Sequence, residues 1–215
     1  EGLNIAVITD AGTPGISDPG EELVRQCYEA GITVTSLPGA CACITALTMS
    51  GQPTRRFAFE AFLPYDKKER AQILENLRNE TRTIIIYEAP HHLKKTLKEC
   101  REYLGNRNMT VCKELTKRYE QKRKTTLDEM IAYYEENEPR GEYVLIFEGK
   151  SLQELKEEKQ QEWNQLTVQE HMEHYLEKGM DKKSAMKQVA KDRGVSKRDV
   201  YPVSYTHLRA HETLR

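Results

Sequence analysis

The sequence predicts an α/β fold, and two observations predict it. β-rich apolar runs recur along the chain at Leu3 to Ile8, Ile32 to Leu37, Thr83 to Tyr87 and Gly141 to Gly149, with amphipathic segments between them. Several runs also close on a loop rich in glycine or charge: Thr9 to Gly20, Pro38 to Ala40, Glu88 to His91 and Glu114 to Lys117. Ligands of open α/β sheets bind outside the carboxyl ends of strands, so these loops are expected to converge on one cleft.

Composition narrows the function classes. A chain of 215 residues with 38% hydrophobic content can bury a core in one or two domains, and a formal net charge of −1 argues against a general polyanion binder. Any nucleic-acid contact must be local. Five cysteines, with no CxxC pair and no signal peptide, suit reduced thiols in a cytoplasmic protein, and no metal site is expected. Cys41 and Cys43 are two residues apart and do not face each other on a helix, so they read as core packing. No apolar run approaches the roughly 18 to 20 residues that span a bilayer, which reads as a soluble protein. The chain starts at Glu1 rather than methionine and enters a predicted strand almost at once, and so reads as a fragment.

In order, Leu3 to Ile8 is a strand and Gly12 and Gly15 let the following loop turn sharply or admit a ligand. Asp18 is placed to cap the next helix, with Pro19 at its first position and Glu21 completing a capping box. That helix runs to Ala30, Gly31 stops it, and Ile32 to Leu37 completes a βαβ unit with parallel pairing. Cys41 to Met49 is apolar on nearly every face and reads as a buried helix ended by Ser50-Gly51, while small Gly39, Ala40 and Ala42 leave room for a ligand. Gln52 to Arg56 is a polar joint between a first lobe, 1–52, and a second, 53–150. Phe57 to Leu63 alternates as a half-buried strand, Lys67 to Asn79 is a charged helix, and Thr83 to Tyr87 is a buried strand. Pro90 opens a helix from His91 to Leu104, Met109 to Cys112 is a strand, and Gln121 to Thr126 is a polar edge strand. Thr126 caps a helix through Tyr134, and Gly141 to Gly149 is the last core strand.

Residues 151–166 are rich in Glu, Lys and Gln and read as a charged linker or exposed helix. Residues 167–201 form a helical appendage capped at Thr167, Asp181 and Ser196, with stops at Gly179 and Gly194, in the pattern of a helix-turn-helix. Seven Lys and Arg stand against three Asp over residues 181 to 201, which makes Lys182, Lys183, Lys187, Lys197 and Arg198 candidates for RNA phosphate contact. A solvated helical hairpin fits the same pattern. Residues 202–215 show no period, Pro202 is expected to break the last helix after one turn, and the tail resembles a non-native stretch; it is excluded from fold reasoning.

No Ser-His-Asp order, HExxH motif or phosphate-binding GxxxxGK[ST] loop is present. Six stretches together do carry a resemblance: Asp10 to Gly20, Leu37 to Ala40, Phe62-Leu63-Pro64, Tyr87 to His91, Lys113 to Lys117 and Gly141 to Val144. In this order they resemble the ribosomal RNA small subunit methyltransferase I family, over Leu3 to about Tyr201. The resemblance implies a two-lobed tetrapyrrole-methylase-like fold, with S-adenosylmethionine in a cleft between the lobes. It also implies 2′-O-methylation of a cytidine in the decoding region of 16S ribosomal RNA within the small ribosomal subunit, and a possible homodimer. Two departures stand out. The family's first strand and glycine loop are missing before Glu1, which implies an incomplete first lobe and an inactive fragment, and His92 stands where the family commonly has Arg.

Carried over by motif, the backbone at Asp10, Ala11, Gly12, Thr13 and Ile16 would cradle the cofactor, with Gly39, Ala40, Tyr87 and Glu142 nearby. The Gly12-Thr13 amides would hold its carboxylate. Glu114 and Lys117 would organise the ribose hydroxyl, with Glu88 in reserve; a helix cap or surface ion pair is the structural alternative for each carboxylate. Two rival functions are a tetrapyrrole or diphthine methylase of the same fold and a non-catalytic cofactor- or RNA-binding module.

Overall fold

The computed structural model describes residues 2–206, with the backbone alone from Pro202 onward. In order the chain forms α1 (Glu21–Glu29), α2 (Ala42–Ser50), β1 (Phe57–Phe62), α3 (Lys67–Leu77), β2 (Thr83–Glu88), α4 (Pro90–Leu104), β3 (Asn108–Lys113), β4 (Gln121–Thr126), α5 (Leu127–Glu136) and β5 (Tyr143–Phe147), followed by α6 (Leu152–Gln165), α7 (Val168–Glu177), α8 (Lys182–Arg193) and α9 (Lys197–Thr206). These elements divide into two compact units, one through Lys150 and one from Ser151.

The first unit is organised by a sheet of order β1-β2-β5-β3-β4. A crossover through α3 makes β1 and β2 parallel, whereas β5 lies antiparallel to both β2 and β3, and β4 antiparallel to β3. The sheet is therefore mixed. Alternation along the strands makes two apolar layers. Ile84, Ile86, Met109, Val111, Leu145 and Phe147 pack against Leu74 and Leu77 of α3, Leu93 and Leu97 of α4, and Leu127 and Met130 of α5. Ile85, Cys112, Val144 and Ile146 face the other way and are covered by Cys43, Ala46 and Leu47 of α2. Each Ile, Val, Leu, Met or Phe side chain among these taken fully out of water contributes about 1.5–3 kcal/mol.

Helix starts follow local rules. Asp66 caps α3 by accepting from the N–H groups of Lys68 (3.0 Å) and Glu69 (2.9 Å), Pro90 opens α4, and Thr126 with Glu129 forms a capping box on α5. At the far end of the sheet Arg107 is buried and donates to four carbonyls: Leu104 (3.0 Å), Glu80 (3.2 Å), Glu148 (3.1 Å) and Arg78 (2.6 Å).

The first forty residues depart from expectation. Residues 3–8 and 32–37 form no strand and make no ladder with each other or with the sheet, so the expected βαβ unit is not assembled. Strand pairing needs a neighbour and a covered face, and α1 supplies neither, since it buries no residue. Asp18 does not cap α1. Its carboxylate accepts instead from the Thr9 hydroxyl (3.4 Å), and Gly20 stands at the cap with φ 153°, a conformation side chains disfavour, so the helix starts only at Glu21. Its other end is as expected: Gly31 at φ 69° lets the Gly31 and Ile32 N–H groups reach the carbonyls of Tyr28 and Cys27. Cys41 and Cys43 correct another expectation. Their sulfurs lie 3.3 Å apart because Cys41, the N-cap, is extended rather than helical. Burial pushes the Cys43 thiol up to about 11.

In the second unit α6 is a helix capped by Ser151 and Glu154 with no buried residue. Met172, Ala185, Val189, Ala190 and Val200 form the small core of α7, α8 and α9. His171 is fully buried, stacked on Trp163 with ring centroids 3.9 Å apart; its Nδ1 accepts from Arg193 (3.1 Å) and its Nε2 faces Asp192 at 3.5 Å. Burial first, and then the Arg193 charge, lower its pKa. α9 continues through Pro202 to Thr206, contrary to the expected break. Proline's fixed φ is itself helical, so the helix can pass through it at the cost of one hydrogen bond and of the ring's crowding against the preceding turn. Residues 207–215 lie outside the described residues.

Candidate active site

The site is built at the end of the sheet where β1, β2 and β3 finish and β5 begins. On β2 consecutive residues point to opposite faces, so Tyr87 joins the α2 layer and Glu88 the α3–α4 layer. Tyr87 packs edge-on against Phe59 and Phe62, and its hydroxyl accepts from the Cys43 N–H at 2.8 Å, fixing the first turn of α2 to the strand end. Burial raises the Tyr87 pKa far above neutrality, so the hydroxyl stays protonated. Cys41, Tyr87 and Leu115 pack against the same apolar cluster, which brings the loops after β2 and β3 to the start of α2.

The two glycine loops meet there. Thr13 donates to the Ala40 carbonyl through its N–H (2.9 Å) and its hydroxyl (3.1 Å). A Cβ on Gly12 would lie 2.8 Å from the Ala40 oxygen, and one on Gly39 would lie 2.7 Å from the Thr13 hydroxyl. These glycines are thus required for loop-to-loop approach, a need their positions in the sequence did not reveal. Asp10, Ala11, Gly12, Ile16, Gly39 and Ala40 are all exposed, so the joined loops present backbone that a small polar ligand can reach. Of the two amides expected to hold a carboxylate, that of Thr13 is committed to Ala40, which leaves Gly12.

Beyond β3 the chain turns through Glu114 (φ 50°) and Thr116 (φ 62°), left-handed conformations that are costly for residues other than glycine. The turn is held by a network. Glu114 donates its N–H to the Glu142 carbonyl (2.9 Å), and its Oε1 accepts from the Glu142 N–H (2.9 Å) and from Lys117 Nζ (3.1 Å). Lys117 Nζ also reaches Glu142 Oε2 at 2.9 Å. The Glu142 N–H, and then Lys117, hold the Glu114 carboxyl below its usual range, while Glu142, and then Glu114, raise the Lys117 ammonium. At neutral pH both are ionised. Both bonds to the Glu114 side chain fall on Oε1, leaving Oε2 to accept a further hydrogen bond. Gly141 makes the approach possible, since a Cβ there would lie 2.6 Å from Glu114 Cγ.

Glu88, by contrast, is buried on the opposite face. Its Oε1 accepts from the Ala89 N–H (2.8 Å), its Oε2 is bonded to the Thr96 hydroxyl, and Arg70 lies 3.9 Å away while also binding Glu99 at 2.5 Å. The structure therefore joins Glu114 and Lys117 to Glu142 and separates Glu88 from them. Sequence reasoning missed Arg70, whose charge sits mid-helix among exposed lysines with nothing to mark it as buried, and the anchoring role of the Tyr87 hydroxyl. The five basic candidates of the second unit lie on α8 and α9: Lys183, Lys187, Lys197 and Arg198 are exposed and Lys182 is half-buried. Among the described residues no His, Cys, Asp and Glu cluster could hold a metal, and no helix is long and apolar enough to cross a membrane.

Residues 1–131 match the family of tetrapyrrole (corrin/porphyrin) methylases. A ribosomal RNA small subunit methyltransferase I of Halalkalibacterium halodurans is 47% identical over 203 residues, which span 94% of this chain and 70% of that protein. The protein of the same name in Bacillus subtilis is 48% identical over 93% of this chain and 68% of its own. Among solved structures, the methyltransferase CobJ superposes with a TM-score of 0.51 at 16% identity, over 64% of this chain and 62% of that one, a likeness of fold alone over less than two thirds of its length.

Proposed function

Because the chain belongs to the tetrapyrrole methylase family and, within it, to the ribosomal RNA small subunit methyltransferases I, we propose that it methylates the 2′-hydroxyl of a cytidine ribose in small-subunit ribosomal RNA, with S-adenosylmethionine as donor. The observation that carries the reading is identity of 47% and 48% over more than nine tenths of the chain to relatives of that name. The small-molecule alternative has behind it the broad family match over residues 1–131 and a likeness of fold, but no relative at comparable identity among those reported above.

When bound, S-adenosylmethionine supplies a methyl group on a sulfonium, which an oxygen nucleophile displaces in line. The residues of this chain have the tasks of alignment and proton handling. The joined loops around Gly12 and Ala40 offer backbone to the cofactor, with Asp10, Ala11, Thr13, Ile16, Gly39, Tyr87 and Glu142 around them. Glu114 Oε2 accepts the hydrogen bond of the ribose hydroxyl, and Lys117 holds the Glu114 carboxylate in place. With its pKa lowered, Glu114 orients the hydroxyl and eases loss of its proton to water rather than storing the proton. Lys117, kept protonated, is a donor and not a base. Glu88 stabilises the fold around Arg70 instead of touching the reacting atoms. Lys182, Lys183, Lys187, Lys197 and Arg198 contact RNA phosphates; several stand in the first turns of α8 and α9, where the helix dipole already favours anions, so cations there do nothing for helix stability.

The test is transfer of labelled methyl groups to small ribosomal subunits, with mass spectrometry locating the modified ribose. Glu114→Gln is expected to slow transfer by about 10²-fold with an unchanged circular dichroism spectrum, and Glu88→Gln to lower stability with little change in the rate for the folded protein. Methylation of tetrapyrrole acceptors with none of ribosomal RNA would overturn the proposal.

A further inference from the structure

The face of the sheet opposite α2 carries a second feature. A cavity of about 300 Å³ opens beside the edge strand β4, lined by Lys113, Gln121, Lys122, Arg123 and Tyr133 among others. Its size falls at the lower end of ligand-binding pockets, and its lining joins cations to the apolar Val111 and Met130 and to the rings of Tyr133 and Tyr134. Strand register explains the grouping: Lys113 pairs with Gln121 and Val111 with Arg123, so the side chains of Lys113, Gln121 and Arg123 share one face, while Lys122 and Lys124 alternate to the other. Positive charge therefore wraps both faces of an exposed edge. The Arg123 guanidinium lies 4.0 Å from the centroid of the Tyr133 ring, which fixes its plane and leaves its N–H edge free to donate.

This concentration is out of proportion to the chain, whose formal net charge is −1. From residue 117 to 124 the sequence has Lys117, Arg118, Lys122, Arg123 and Lys124 against Glu120 alone, a denser excess than that of residues 181 to 201. The local acids are engaged elsewhere. Glu120 accepts from the Thr116 N–H (2.7 Å), and Glu129 from Thr125 (2.9 Å) and the Thr126 N–H (3.1 Å). No carboxylate among the described residues pairs with Lys113, Lys122, Arg123 or Lys124. An edge strand gains protection from lysines against other strands, but that need is met by one or two and calls for neither an arginine locked on a tyrosine nor a cavity.

We propose that the β4 edge, through Lys113, Lys122, Arg123 and Lys124, binds the phosphodiester backbone of the RNA substrate and is the main electrostatic footprint of the first unit. The inference rests on the ribosomal RNA reading above and adds to it a surface outside both the Glu114 network and the helical appendage. Phosphate recognition of this kind sets position and salt dependence rather than sequence choice.

The experiment measures binding of the protein to small-subunit ribosomal RNA across a salt series, alongside methyl transfer. K122Q/K124Q is expected to weaken binding about tenfold at 0.1 M salt and to reduce the slope of log affinity against log salt by about 0.7 for each phosphate of single-stranded RNA that is no longer neutralised. The charge-retaining K122R/K124R is expected to restore both, which a purely structural role would not require. Unchanged affinity and slope in folded K122Q/K124Q and in folded R123Q, with wild-type methyl transfer intact, would overturn this inference and leave the proposed function standing. A reduced slope in the variant of a protein that binds RNA but transfers no methyl group would do the reverse. Direct binding of poly-glutamate with no RNA binding at all would overturn both in favour of an acidic protein partner.

Discussion

Leu3 to Ile8 and Thr83 to Glu88 are both β-prone apolar runs, and they meet opposite fates. Leu3, Ile5 and Ile8 are 76%, 87% and 86% exposed, whereas Ile84, Ile85 and Ile86 are wholly buried. The difference lies in what surrounds them. β2 has β1 on one side and β5 on the other, with helices over both faces, while residues 3–8 have no ladder partner among the described residues. A β-rich stretch states a demand for neighbours, and its burial depends on whether they are supplied.

Mutations can break or sharpen this contrast. The largest effect is expected at the sheet centre: Leu145→Ala empties a fully buried site and should cost about 4 kcal/mol by chemical denaturation. Arg107→Met should cost about 2–3 kcal/mol, because it takes a donor from the carbonyls of Arg78, Leu104 and Glu148 in a partly buried place, while that of Glu80 keeps the Lys150 N–H. A smaller effect concerns acid. The hydrogen bond from Arg82 holds the Glu80 carboxyl down to about 2, below its unfolded value of 4.5. Its contribution is therefore complete above about pH 4.5 and lost as pH falls from there toward 2, and Glu80→Gln should flatten that part of the stability curve. Smallest of all, Ile5→Ala should change stability by less than about 0.5 kcal/mol; a loss of about 2 kcal/mol or more would show that residues 3–8 are covered in solution and end the contrast.

Much of the sheet unit was legible because its signals are local. Three consecutive isoleucines fix β2, Thr126 with Glu129 fixes the start of α5, and the wholly polar run of Gln121 to Thr126 marks an edge. What was not legible depends on distant parts of the chain. Asp18, Pro19 and Glu21 spell a helix start, but the positive φ of Gly20 delays it. Cys41 and Cys43 meet because one of them lies just outside the helix. In the candidate site the sequence singles out Glu114 and Lys117 together and Glu142 apart from them, yet only the β3–β5 register brings Glu142 opposite Glu114. At Glu88 a charged residue at a strand end is visible in sequence, whereas the face it takes follows from the partner strand and from Arg70 on the preceding helix.

The two glycines where the first loops meet differ in what could ever replace them. A side chain at residue 39 would strike the hydroxyl of Thr13, a group that a second substitution at Thr13 removes, while the bond from the Thr13 N–H to Ala40 survives. One at residue 12 would strike the carbonyl oxygen of Ala40, which every amino acid carries, and would sit at φ 78° besides. Position 39 is thus open to exchange in a suitable genetic background, and position 12 in none that keeps the backbone where it is.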